Sequence, residues 1–300
     1  MYSVAQIKHG LKTPKAMARE AARLTSSNGD GSFNVDGMDI FAEDWDNLVI
    51  LDACRYDTFA DVAAGQLSGT LSSRISRGSS TSEFVRGNFA GKRAHDTVYA
   101  SANSWYARLR DEIGASVFKF VELNGEKYRD PGTQTFHPEP VTEDAKAVHD
   151  EYPDKRLIVH YVQPHTPFMG PTARQFFTQY GQATLSQLAK KPDITTARIR
   201  RAYEETLDVA LPHVAELVEH VEGKTVVTAD HGELLGERHW PIPVRGYGHH
   251  PGIYHEELVR VPWLQIPTDE RKSVTSETPE RDEFEVDEVD DRLRDLGYKV

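Results

Sequence analysis

The stretch Lys224-Thr-Val-Val-Thr-Ala-Asp230-His231-Gly232-Glu233 is an apolar run that stops at a carboxylate and an imidazole. A run of this kind reads as a parallel strand buried on both faces. In open α/β sheets ligands gather at the carboxyl ends of the strands. An Asp-His pair at that edge offers donors that suit a hard or borderline divalent cation. A second run, Asn47-Leu-Val-Ile-Leu-Asp52, ends in the same way. Two strands that each deliver a carboxylate to one edge make a metal site from residues far apart in the chain. Asp also starts turns and caps helices, so neither run decides the matter alone.

Strand-like and helix-like segments alternate around these two runs. Residues 55–64 read as a helix, and the apolar runs at 97–100, 117–123 and 157–162 as strands. A long helical pattern covers 195–221, with Tyr203, Leu207, Leu211, Val214, Leu217 and Val221 on one face. Pro212 is expected to kink or interrupt it. A late strand spans 258–266, where Pro262 favours an edge or an irregular position. Such alternation predicts an α/β fold: a mostly parallel sheet with helices on both faces, hence three layers.

The chain has 300 residues, 38% of them hydrophobic, which suffices for one large domain. We divide it into a basic helix and loop (1–37), a catalytic domain (38–274) and an acidic tail (275–300) that closes on the domain through Leu293, Leu296 and Tyr298. Forty-seven acidic against 35 basic residues leave a net charge of −12, which argues against a nucleic-acid-binding surface. Cys54 is the only cysteine, so no intramolecular disulfide forms. Apolar stretches of strand length and an N-terminus without the apolar core of a signal peptide predict a soluble, cytoplasmic protein. The basic, amphipathic segment 4–24 is open to two readings: a helix packed on its own domain, or weak contact with an anionic membrane surface.

Catalysis needs a nucleophile. Arg77-Gly-Ser79-Ser80-Thr81-Ser82-Glu83-Phe84 puts small hydroxyl residues just before a helix, where the dipole favours negative charge. A Ser/Thr cap satisfies the same pattern. Of the 13 histidines, His160 and His165 in His160-Tyr-Val-Gln-Pro-His165-Thr-Pro-Phe168 follow a strand and are expected on a loop at the same sheet edge. Tyr247-Gly-His249-His250 lies between the Asp230-His231 run and the late strand. His9, His95, His137, His149, His213 and His220 are assigned no role.

In this order the segments Leu51-Asp52-Ala-Cys-Arg55, Ser80-Thr81-Ser-Glu83, His160 to Phe168, Thr228-Ala-Asp230-His231-Gly-Glu233, Tyr247-Gly-His249 and Leu258-Val-Arg-Val-Pro262 resemble the alkaline phosphatase superfamily, in its sulfatase-like branch. The chain's close, Arg292-Leu-Arg-Asp-Leu-Gly-Tyr298, is similar to that of many sulfatase-type chains. The resemblance covers about residues 45–298. It implies a three-layer α/β/α sandwich with a divalent metal held by Asp52, Thr81, Asp230 and His231. It also implies Thr81 as nucleophile, with Ser80 the runner-up, and catalytic or substrate contacts from His165 and His249. Arg55 and His160 are further substrate-binding candidates.

Two departures refine this reading. The Cys/Ser-x-Pro-x-Arg motif that sulfatases convert to formylglycine does not occur near Thr81. The nucleophile region resembles instead that of lipoteichoic acid synthase and phosphoglycerol transferase enzymes, where a Thr is used. Two-metal members place an Asp and a His about four residues apart before a Gly-Pro, where this chain has Gln163-Pro164-His165-Thr-Pro-Phe-Met-Gly-Pro171; the missing Asp predicts a single metal. Zinc, manganese, magnesium and calcium stay open. The expected activity is hydrolysis or transfer of phosphoric esters. The alternatives are a sulfatase working without formylglycine and a non-catalytic binding member. The expected partner is a small-molecule or glycan- or lipid-linked phosphate or sulfate ester.

Overall fold

The computed structural model describes residues 32–129, 136–238, 244–280 and 286–295. Its strands are β1 (Asn47–Leu51), β2 (Thr70–Ile75), β3 (Arg93–Ser101), β4 (Ser116–Glu122), β5 (Arg156–Tyr161), β6 (Thr225–Ala229), β7 (Leu234–Arg238), β8 (Arg245–Gly248) and β9 (Arg260–Gln265). Between them lie α1 (Tyr56–Val62), α2 (Thr81–Phe89), α3 (Trp105–Leu109), α4 (Pro138–Glu151), α5 (Gly170–Phe176), α6 (Leu185–Leu188), α7 (Thr196–His220), α8 (Glu256–Val259) and α9 (Val286–Asp295).

A seven-stranded sheet runs in the order β2-β9-β6-β1-β5-β3-β4. The five strands from β6 to β4 are parallel. Only β9 is reversed, pairing antiparallel with β2 and β6. β7 and β8 form a separate antiparallel pair. The fold is the mostly parallel α/β sandwich that the alternation predicts.

The central strands read as apolar runs because both of their faces are covered. On β1, Leu48 and Ile50 join a core with Phe84, Val85 and Phe89 of α2 and with Tyr106 and Leu109 of α3. Val49 and Leu51 point the other way, into a core with Val141 and Ala145 of α4 and Leu207, Leu211, Val214 and Leu217 of α7. Each such fully buried Leu or Val contributes about 1.5–3 kcal/mol.

The helix is not interrupted at Pro212, and the strand that carries Pro262 is not an edge strand. α7 runs unbroken through Pro212 over 25 residues. Its continuous buried face, from Ile199 to Leu217, outweighs the roughly 3 kcal/mol that an interior proline costs. β9 is internal, between β2 and β6. Its ladder with β6 ends at Thr228↔Trp263, one residue short of Pro262, so the missing N–H is not required there.

The segment 275–280 is exposed yet hydrogen-bonded along the domain, with Thr275 N donating to Asp154 O and Glu280 N to Phe118 O. Leu293 on α9 is fully buried. The basic segment 4–24, Leu296 and Tyr298 lie outside the described residues.

Candidate active site

Register builds the site. Leu51 and Ala229 are partners in the β1–β6 ladder, so the next residue on each strand, Asp52 and Asp230, emerge side by side at the carboxyl edge. His231 follows directly, and all three are fully buried. Asp52, Asp230 and His231 each bring one ligand atom to within 4.8 Å of the others. His231 Nε2 lies 3.6 Å from Asp52 Oδ1, 3.4 Å from Asp230 Oδ2 and 3.3 Å from Thr81 Oγ1. Donor atoms sharing a cation at ligand distances of about 2.0–2.2 Å sit about 3–3.6 Å apart, so this spacing suits a metal.

The remaining atoms of these residues are fixed by hydrogen bonds. His231 Nδ1 lies 2.7 Å from Gly232 O, which makes it the N–H donor and leaves the Nε2 lone pair facing the carboxylates. Burial and the neighbouring His249 push the His231 pKa well down, so the imidazole is neutral, as a ligand must be. Asp230 Oδ1 accepts from Ala53 N (3.0 Å) and His231 N (2.8 Å). Asp230 Oδ2 is buried and makes no hydrogen bond among the described residues. Such an atom is costly unless a cation meets it. The donor set and this oxygen together fit a divalent metal.

Thr81 opens α2 and is 1% exposed. Ser80 is the N-cap, its hydroxyl accepting from Glu83 N. The sequence pattern thus marks both a cap and a candidate nucleophile, one residue apart, with Thr81 the one beside His231.

The four predicted metal donors, Asp52, Thr81, Asp230 and His231, come together. His165 and His249 stand next to them: the ring centroids of His231 and His249 are 4.4 Å apart, and those of His165 and His249 5.2 Å. Their electrostatics differ. Burial, with His249 and His231 nearby, pushes the His165 pKa well below the usual imidazole range. Burial opposes charge on His249 too, but the Glu233 carboxylate, 3.3 Å from Nδ1, with help from Asp52 and Asp230, holds its pKa above that range.

The other two substrate-binding candidates lie against the same residues but are engaged by the protein. His160 lies within β5, not on the loop after it, and is fully buried behind Asp230. Its Nδ1 is 2.8 Å from Tyr99 OH and its Nε2 3.7 Å from Asp230 Oδ2. Burial brings its pKa down to about 4. Arg55 is engaged by the protein: Nη2 and Nε with Asp57, Nη1 with Glu237 and with Glu233 O.

Several site residues escaped the sequence reading. Asn103 donates from Nδ2 to Asp52 Oδ2 at 2.8 Å. It follows a strand at the same edge, which was an available signal. Ala53 has φ +61°, a conformation that costs a non-glycine residue about 1–3 kcal/mol. Tyr203 of α7 holds it, donating to Ala53 O (2.6 Å) and accepting from Arg55 N (2.9 Å). As one of many apolar-face residues, Tyr203 gave no such signal. Glu233 forms a second group of possible ligands with His165 and His249. Glu233 stands just before β7, so a carboxylate lies near His165 although none is close to it in sequence.

The chain matches no protein-family model and no curated protein. It is similar to solved structures. One is the soluble domain of lipooligosaccharide phosphoethanolamine transferase A from Neisseria meningitidis, at 15% identity over 73% of this chain and 75% of that one, TM-score 0.49. Another is the C-terminal periplasmic domain of EcEptC from Escherichia coli in complex with Zn, at 15% identity over 74% and 72%, TM-score 0.49. A third, from Vibrio parahaemolyticus, is described as a protein in the alkaline phosphatase superfamily, at 11% identity over 89% and 71%, TM-score 0.45. The third bears the name of the superfamily that the motifs resemble. The cytoplasmic expectation is corrected: the similar structures include periplasmic domains, which point away from it.

Proposed function

We propose that this chain is a metal-dependent enzyme that transfers or hydrolyses phosphoric esters through Thr81. The observation that carries the reading is the Thr81 hydroxyl, at the amino end of a helix and 3.3 Å from His231 Nε2, beside the carboxylates of Asp52 and Asp230. Asp52, Asp230 and His231 would hold the cation, with Thr81 completing the set. A bound divalent cation supplies Lewis acidity to a hydroxyl and to phosphoryl oxygens. The amino end of α2 favours the negative charge of a phosphoryl group attached to Thr81 Oγ1. His249, held toward its charged form by Glu233, faces the developing negative charge. His165, kept neutral by burial, can hydrogen-bond the leaving or attacking oxygen. Thr81 Oγ1 would bond to phosphorus as the bond from phosphorus to the ester alcohol breaks, the Thr81 proton leaving with that alcohol. Water or an acceptor alcohol then takes the phosphoryl group as the P–Oγ1 bond breaks and a proton returns to Thr81.

The test is a panel of matched phosphate mono- and diesters and sulfate esters, run with metal analysis of the purified protein. We expect phosphate-ester turnover that chelation abolishes and divalent metal restores. Preferential sulfate-ester turnover would replace this reading with sulfatase chemistry, and no turnover with any divalent ion would reduce the chain to a binding protein.

A further inference from the structure

We propose that Glu83 is a positioning residue: its buried carboxylate ties the turn before Thr81 to the loop after His249 and so sets the distance between the nucleophile and that imidazole. The proposal rests on the roles assigned above to Thr81 and His249. Glu83 is the third residue of α2 and is 3% exposed. Its Oε2 accepts from Ser79 N (2.9 Å) and from Ser79 Oγ (2.8 Å). Its Oε1 accepts from Gly252 N (2.7 Å) and from Tyr254 OH (3.4 Å). Four donors from two segments about 170 residues apart thus converge on one carboxylate.

A capping role explains only half of this. In a capping box the acidic residue at the third helical position reaches back to the N-cap backbone. Here Oε2 reaches one residue further, to Ser79, and Oε1 is left to bind the 249–254 loop. Both segments are shaped for the approach. A Cβ on Gly78 would come within 2.4 Å of Phe84 N, and Gly252 has φ +78°. Ser79 Oγ also lies 3.0 Å from His250 O, so its one proton is shared between that carbonyl and Glu83 Oε2. Glu83 acts on the reacting groups through these two backbones.

Glu83→Gln tests the idea with almost no change in shape. The amide keeps one acceptor oxygen and turns N–H donors toward the N–H of the other segment, so it can hold Ser79 or Gly252 but not both. The expected result is a kcat lower by roughly 10- to 100-fold, the loss that a displacement of about 1 Å between reacting groups causes, with KM and bound metal close to wild type. Should Glu83→Gln not fold, the double variant Ser79→Ala/Tyr254→Phe removes one donor on each side without burying a new polar group, and the same split between kcat and KM is expected. Wild-type kcat, a change in KM alone, or a loss that vanishes on assay well below the variant's unfolding temperature would overturn the proposal. An active Thr81→Ala variant would defeat the underlying functional reading instead. An inactive Thr81→Ala beside a fully active Glu83→Gln would defeat only this inference.

Discussion

The two ends of β1 carry buried aspartates in opposite circumstances. Asp46, just before the strand, is closed by the protein: Oδ2 accepts from Lys224 N (2.8 Å), Lys272 N (3.3 Å) and Arg271 Nε (2.7 Å), and Oδ1 from Arg271 Nη2 (3.1 Å). Nearby, Lys155 Nζ bonds Glu277 (2.6 Å) and Thr275 Oγ1 (2.8 Å) and lies over the Phe118 ring. At the far end Asp52 meets a second carboxylate, that of Asp230, whose Oδ2 has only the imidazoles of His160 and His231 within 4 Å as basic partners among the described residues. At the amino end the chain's own cations meet the carboxylate; at the carboxyl end two carboxylates stand side by side, an arrangement that fits a cation from outside.

The largest effect should come from the carboxyl end. Thr81→Ala removes the proposed nucleophile and proposed metal donor but little buried area, so turnover should fall by several powers of ten, on the order of 10³–10⁶, with the unfolding transition nearly unchanged. Steady-state kinetics beside thermal unfolding measure both. If the variant keeps most of its activity, Ser80 or water must attack in its place.

What the sequence revealed follows the same division. Asp52, Asp230 and His231 were legible because they end apolar runs, and the runs are apolar because β1 and β6 are covered on both faces. β2, Thr70–Ile75, was missed because it is a partly exposed edge strand with no apolar run to mark it. α4 was missed although Val141, Ala145 and Val148 keep helical spacing, since its first turn holds two prolines. The partners that fix the ligands come from remote elements: Asn103 after β3, Tyr203 on α7. Nothing local in their sequence says which backbone they will meet. His160 was misplaced although the strand predicted over 157–162 already contains it: grouping it with the proline-rich loop put it after the strand, whereas it sits in β5 with Nε2 3.7 Å from Asp230 Oδ2.

The next effect separates stability from activity at the metal site. Asp52 and Asp230 repel each other without a cation, so Asp230→Asn should make the metal-free protein more stable than wild type while abolishing turnover. Chelation should lower the wild-type midpoint, because a metal at 100 times its Kd contributes about 2.7 kcal/mol. For a domain of this size that is a shift of roughly 5–10 °C. The variant should not respond to chelator. Equal chelator shifts in both proteins would mean that the stabilising metal binds elsewhere.

At the amino end the expected signs reverse. Asp46→Asn turns an N–H donor toward the donors that now surround the carboxylate and loses the charge facing Arg271, which should cost about 1–3 kcal/mol of stability. It should leave kcat and metal content untouched. A variant that lost activity while keeping its midpoint would erase the contrast between the two ends of β1.

The smallest effect is the pH dependence of that cost. Burial works to raise the Asp46 pKa, but Arg271 and the backbone N–H groups of Lys224 and Lys272 outweigh it and hold the carboxyl below its ordinary value. A carboxylate with a depressed folded pKa contributes stability that is fully present above the unfolded value of about 3.9 and is lost as pH falls through the lower, folded value. Above about pH 4 the gap between wild type and Asp46→Asn should therefore be constant, and below it the gap should narrow as the wild-type group takes up its proton. Thermal midpoints of the two proteins measured in parallel across this range read the difference directly, and common acid effects on the rest of the chain cancel. A gap that stays constant down to about pH 2 would show that Arg271 and the two N–H groups respond to the shape of the Asp46 side chain and not to its charge. A gap that narrows already near pH 6 would place the responsible group among the histidines, whose unperturbed pKa of about 6.5 lies in that range.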